Sequence, residues 1–151
     1  MSMVSAAPPQ RAANRGLPTE AALLAVVARS SKVMWHGCRV GREVRSHGRA
    51  RTDLMVLWEG ELIAIEGKVR HWQRAIGQAL LNRYCADRSY VALWGRYAHD
   101  EALREAAACG VGVIRVEGKE ARIALAAPLG VPEGHLRERM VAAVAAVKGK
   151  P

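Results

Sequence analysis

The sequence predicts a single α/β domain, a central mixed β-sheet flanked by helices. Three observations predict it. Helical and strand patterns alternate along 151 residues, half of the residues are hydrophobic, and two β-rich runs separated by Glu59 and Gly60 read as a hairpin. A chain of this length buries a sizeable core, so residues 19–148 are expected to form one domain.

Taken in order, MSMVSAAPPQRAANRGLP is rich in Pro, Ala and polar residues and lacks the apolar run of a secretory signal, so residues 1–18 are expected to be a flexible tail. Thr19 stands as an N-cap before Glu20, and Leu23, Leu24, Val26 and Val27 supply the apolar face of a first helix reaching Ser31. Residues 33–44 mix Val, Met, Trp and Cys with glycines and suit one or two strands. DLMVLW and ELIAIEGKV follow as the hairpin strands. HWQRAIGQALLNRYCAD then places Trp72, Ile76, Ala79, Leu80 and Arg83 on one face of a helix. SYVALWG reads as a buried strand, Asp100 as the cap of a helix that Gly110 terminates, and GVIRVE and ARIALAA as strands joined at Gly118 and Lys119. Pro132 opens a last helix with the stripe Leu136, Met140, Ala143, Val144 and Val147, expected to pack on its own sheet.

Cys38, Cys85 and Cys109 are odd in number and widely spaced, which signals buried free thiols and neither a disulfide framework nor a zinc knuckle. No apolar run approaches the roughly 20 residues of a membrane-spanning helix, and a cytoplasmic location is expected. The formal net charge of +9 favours a polyanionic partner, because neutralising phosphates releases counterions. Charge alone admits anionic lipid as well. The basic residues are spread along the whole chain instead of forming one amphipathic surface helix, which points to nucleic acid.

The hairpin carries the chemistry. A two-residue turn at Glu59 and Gly60 pairs Trp58 with Glu61, and continuing outward brings Asp53 opposite Glu66. A three-residue turn would place Asp53 opposite Gly67 instead. Alternation puts Lys68 on the same face as both acids, while Leu54, Val56, Ile63 and Ile65 face the other way. Directly opposite β-carbons lie about 4.5 to 5.5 Å apart, close enough for two carboxylates to hold one cation. Without a cation, neighbouring like charges force one acid to keep its proton. Oxygen donors favour magnesium, with manganese as a substitute. A solvated sheet face on which Lys68 merely neutralises two acids would show polar neighbours, yet Met55, Leu57, Leu62 and Ala64 lie between the charges. His36, His47, His71, His99 and His135 have no ligand spacing and read as surface or loop histidines.

RTDLMVLWEGELIAIEGK, followed by AIGQALLN on a helix and SYVAL on a strand, resembles the core of the PD-(D/E)XK nuclease superfamily, whose fold is called restriction-endonuclease-like. The resemblance spans residues 19–93. It implies that Asp53 and Glu66 bind magnesium together with the main-chain carbonyl of Gly67, and that Lys68 assists the attacking water. It further implies Glu20 on the first helix as an added metal ligand and Gln78 on the following helix as a catalytic amide, with Gln73 in reserve. Thr52 stands where the family name has proline, and Gly67 replaces the usual apolar middle residue. Glu117, Gly118 and Lys119 repeat the E-x-K tripeptide at a predicted turn with no aspartate across a hairpin, and read as surface charge. Arg49, Arg51, Arg70 and Arg74 flank the hairpin and are the candidates for contacts to a DNA backbone. The expected activity is metal-dependent hydrolysis of DNA phosphodiesters. The alternatives are a catalytically silent nucleic-acid-binding or assembly module of the same fold, and a homodimeric enzyme like the Holliday-junction resolvases.

Overall fold

The computed structural model describes residues 16–47 and 50–147. Most of the expected tail, and Arg49, lie outside the described residues. Helix α1 spans Glu20–Met34 and is followed by strands β1 (Arg39–His47), β2 (Ala50–Trp58) and β3 (Glu61–Lys68). Helix α2 (Trp72–Asn82) leads to β4 (Arg88–Trp94), and α3 (Asp100–Ala108) leads to β5 (Gly112–Glu117). Strand β6 (Glu120–Leu125) and helix α4 (Gly134–Ala145) complete the order. The six strands lie in sequence order in one sheet. β1, β2 and β3 are antiparallel, β3, β4 and β5 are parallel, and β6 returns antiparallel at the edge. The α/β class with a mixed sheet flanked by helices is what the alternating pattern predicts.

The two parallel joins require crossovers, and α2 and α3 supply them. Both cover one face over Val91, Leu93 and Val113, and α4 extends that layer over Met55, Leu62 and Ala64. The last helix thus packs on its own sheet, through Met140 and Val144. On the opposite face α1 lays Leu23, Val26 and Val27 against Leu54, Val56, Ile63 and Ile65. With helices on both sides β3 is covered throughout, and Leu62 to Gly67 are all buried.

Local chemistry fixes the ends. Thr19 Oγ1 accepts the Ala22 N–H at 3.0 Å, the expected cap of α1. The cap of α3 falls one residue earlier than expected: His99 Nδ1 accepts the Ala102 N–H, and Asp100 sits inside the first turn, where its negative charge is favoured by the positive end of the helix dipole. His99 is held there by an edge-on contact with Trp72, ring centroids 5.1 Å apart. Cys38 and Cys85 are buried free thiols and Cys109 is half-buried. Among the described residues no helix is long and apolar enough to cross a membrane.

Asp87 locks the hairpin to the rest of the domain. Its carboxylate accepts the Leu62 N–H at 2.7 Å and a forked pair from Arg137 on α4, while Arg137 also donates to the Gly60 carbonyl. Burial alone would raise the Asp87 carboxyl, but the hydrogen bonds from Arg137 and Leu62 outweigh it and hold the group below its ordinary value. Asp87→Ala should cost about 2 to 4 kcal/mol by leaving Arg137 and the Leu62 N–H without their acceptor. A urea midpoint that moves down at unchanged slope is the expected reading, and an unmoved midpoint would refute the role.

Candidate active site

Both turn residues take left-handed backbone angles, Glu59 at φ 49° and Gly60 at φ 78°, the conformation that follows strand twist. Trp58 therefore pairs with Glu61, and the ladder runs in step to Leu54 opposite Ile65. Asp53 and Glu66 are the next residues outward. Glu66 follows Ala64 on the face under α2 and α4 and is only 5% exposed.

The two acids are each held by one donor. Asp53 Oδ2 accepts the Gly67 N–H at 3.0 Å. Glu66 Oε1 accepts from Asn82 Nδ2 at 3.0 Å, and Asn82 Oδ1 in turn accepts from the Thr52 hydroxyl at 3.3 Å. Burial pushes the Glu66 carboxyl from the ordinary 4.5 up to about 8. The Asn82 hydrogen bond opposes the rise, Asp53 adds to it as a neighbouring charge and hydrogen-bonding partner, and Lys68 opposes it more weakly. Near pH 7 Glu66 therefore keeps a proton that a free carboxyl would have lost. Beneath Glu66, burial also raises the Cys85 thiol to about 11, leaving it protonated and inert.

Lys68 ends β3, where its ammonium lies 3.3 Å from Glu20 Oε1 in the first turn of α1. Glu20 is thus brought to the site through the lysine. Lys68 and Glu20 border a cleft of about 390 Å³ completed by Leu17, Pro18, Thr19, Val69, Arg70 and His71. Arg70 is half-buried in that cleft and Arg74 is exposed on α2. Arg51 is exposed and 3.9 Å from Glu43. Gln78 and Gln73 are exposed on α2, and among the described residues neither is hydrogen-bonded to the acids. The amide that reaches Glu66 belongs to Asn82, one turn after Gln78. The second E-x-K copy is exposed, with Gly118 at φ 58°, as its reading as surface charge requires.

Two features escape a strict period-two reading. Thr52 and Leu54 would share a face in an unbroken strand, yet Leu54 packs toward α1 while Thr52 reaches Asn82 on the opposite side. The break coincides with Asp53. The β1–β2 ladder pairs Arg42 with Leu54 and Val44 with Thr52 but not Glu43 with Asp53, and Glu43 takes φ 51°. Gly67 also has a reason apart from ligand access. A β-carbon there would come within 2.5 Å of Leu24 Cδ2 and 3.1 Å of Leu23 Cδ2, so α1 packs its leucines directly on the bare backbone and any side chain there would displace Leu24.

The donor set fits a hard divalent cation. Asp53 Oδ2 is held by the Gly67 N–H and Glu66 Oε1 by Asn82 Nδ2, the two acids lie within hydrogen-bonding reach of one another, and the Gly67 carbonyl directly follows Glu66 in sequence. Among the described residues no three Asp, Glu, His or Cys side chains gather as a metal-binding group. Two carboxylates and a carbonyl suit an ion that keeps several waters, as magnesium does.

No protein-family model and no curated protein matches the sequence. Solved structures do share its fold. A protein of unknown function from Silicibacter pomeroyi, SPO1766, is 22% identical over 86% of each chain, with a TM-score of 0.69. An XisH family protein from Nostoc punctiforme is 19% identical over 67% of this chain and 96% of its own, with a TM-score of 0.50. Pyrococcus furiosus SfsA in complex with Ca2+ matches at 19% identity over 70% of this chain and 61% of its own, but its TM-score of 0.39 is too low for its calcium to bear on this chain.

Proposed function

We propose that the chain is a magnesium-dependent nuclease that hydrolyses DNA phosphodiester bonds at Asp53, Glu66 and Lys68, with manganese able to substitute. The observation that carries this reading is Glu66, a buried acid forced against a second acid on a covered strand, at a cost to folding that a cation would relieve. Asp53, Glu66 and the Gly67 carbonyl would hold the ion. When bound, it supplies Lewis acidity that polarises a phosphate and makes water a better nucleophile near neutral pH.

The chain's own residues do the rest. Lys68, steadied by Glu20 at the mouth of the cleft, offers its ammonium to the negative charge that grows on the phosphate as water attacks and the bond to the leaving oxygen breaks. Gln78 belongs to this reading as an exposed amide that meets the phosphate once substrate is bound. Arg51, Arg70 and Arg74, with Arg49, would grip neighbouring phosphates, and the net charge of +9 draws the polyanion in. Glu20 acts here as the partner of Lys68, and as a further ligand only if substrate draws the lysine away.

The test is cleavage of supercoiled, linear and four-way-junction DNA, and of RNA, with magnesium or manganese and with EDTA. Metal-dependent cutting of DNA that Asp53→Ala abolishes is expected. DNA binding without cutting under either metal would replace the reading with a silent binding module.

A further inference from the structure

We propose that Asn82, set by Thr52, is a positioning residue that fixes Glu66 for metal binding; this rests on the nuclease reading above. Asn82 closes α2 at a spacing that continues the buried series Trp72, Ala75 and Ala79, a place where an apolar side chain would ordinarily pack. An amide there must satisfy both its ends. The Thr52 hydroxyl, itself 1% exposed, donates to Oδ1, and this turns Nδ2 toward Glu66 Oε1. The flipped amide would set its oxygen against a carboxylate oxygen, so Glu66 selects the orientation that donates, and the Thr52 hydroxyl holds the amide in it by donating to Oδ1.

The result is a matched pair of acids. Gly67 N–H ties Asp53 Oδ2 and Asn82 Nδ2 ties Glu66 Oε1, so each carboxyl is held through one of its oxygens and a cation would meet the two acids already oriented. The break in alternation at Asp53 makes this arrangement reachable, because it brings Thr52 to the side of the sheet where Asn82 lies. One irregularity in β2 therefore serves both acids, Asp53 directly and Glu66 through Thr52 and Asn82.

The test measures binding of manganese to the intact protein by the loss of the free-ion EPR signal, for wild type, Asn82→Leu and Thr52→Val. Groups that orient a metal ligand are worth about 10- to 100-fold in affinity, so Asn82→Leu should weaken manganese binding by about that factor and Thr52→Val by roughly several-fold. Cleavage by both variants should recover toward wild type when manganese is saturating. Wild-type affinity in a folded Asn82→Leu variant would overturn the assignment, as would a cleavage defect that persists at saturation. Thr52→Val carries the same test if Asn82→Leu does not fold. Failure of the wild type to bind manganese would instead remove the nuclease reading itself, and this inference with it.

Discussion

Glu66→Gln should make the metal-free protein more stable at pH 8.5 and abolish cleavage at the same time. The folded chain keeps the Glu66 proton to about pH 8, whereas an unfolded chain releases it near 4.5. A raised acid contributes stability that is complete below the lower value and is lost as pH rises through the upper one. Wild type should therefore weaken between pH 4.5 and 8, by on the order of 3 to 5 kcal/mol. Glutamine has the shape of the protonated acid, can still accept from Asn82 Nδ2, and does not titrate. The two melting curves should coincide near pH 4 and separate steadily to pH 8, where the variant melts higher by roughly 10 °C. Adding manganese should raise wild type and leave the variant unmoved. A variant that melts lower than wild type at pH 8.5 would mean that Glu66 is a structural acid. Gaining stability by losing a reactive group is the signature of a residue kept for chemistry.

Lys68→Ala should lower the cleavage rate at saturating magnesium by about 10²- to 10³-fold, the usual effect of removing a group that meets charge in the transition state. Stability should change by less than about 1 kcal/mol, because the pair with Glu20 is partly exposed and such pairs contribute little. Glu20→Gln serves as the comparison: it releases the ammonium without removing it, and its effect on rate should be far smaller. Equal rates for wild type and Lys68→Ala would remove the lysine from the chemistry. Single-turnover assays are needed so that slow product release does not conceal the difference.

The hairpin was legible because its two-residue turn leaves one register, and from that register the meeting of Asp53 and Glu66 follows. Helix α2 was legible in extent and in most of its buried face, but not at the edge of that face. Trp72, Ile76 and Ala79 are buried as the hydropathy reading expects, but Leu80, which it also weights as core, is 39% exposed and Ala75 is buried instead. Small side chains let the helix approach β4 closely enough for Ser89 to donate to the Ala79 carbonyl at 2.6 Å. Shifting the phase toward the alanines places Asn82, not Arg83, at the end of the series, and an asparagine on a buried series was the available signal for it. Strand β1 was faint for a different reason. Glu43 at φ 51° interrupts its alternation, and no period-two pattern anticipates such a break. Gly67 was legible as an oddity, but its reason lies in Leu23 and Leu24, more than forty positions earlier in the chain.

That contact links assembly to reactivity. The first helix leans on bare backbone between the acid and the lysine of one tripeptide, and its own opening turn holds the lysine. The hairpin by itself brings Asp53 against Glu66 but secures neither the Glu66 carboxylate nor the Lys68 ammonium. Glu66 waits for α2 to bring Asn82, and Lys68 waits for α1 to bring Glu20. An unfinished chain would therefore hold every reactive residue without the constellation, and competence toward a phosphodiester would arrive only with the last docking step.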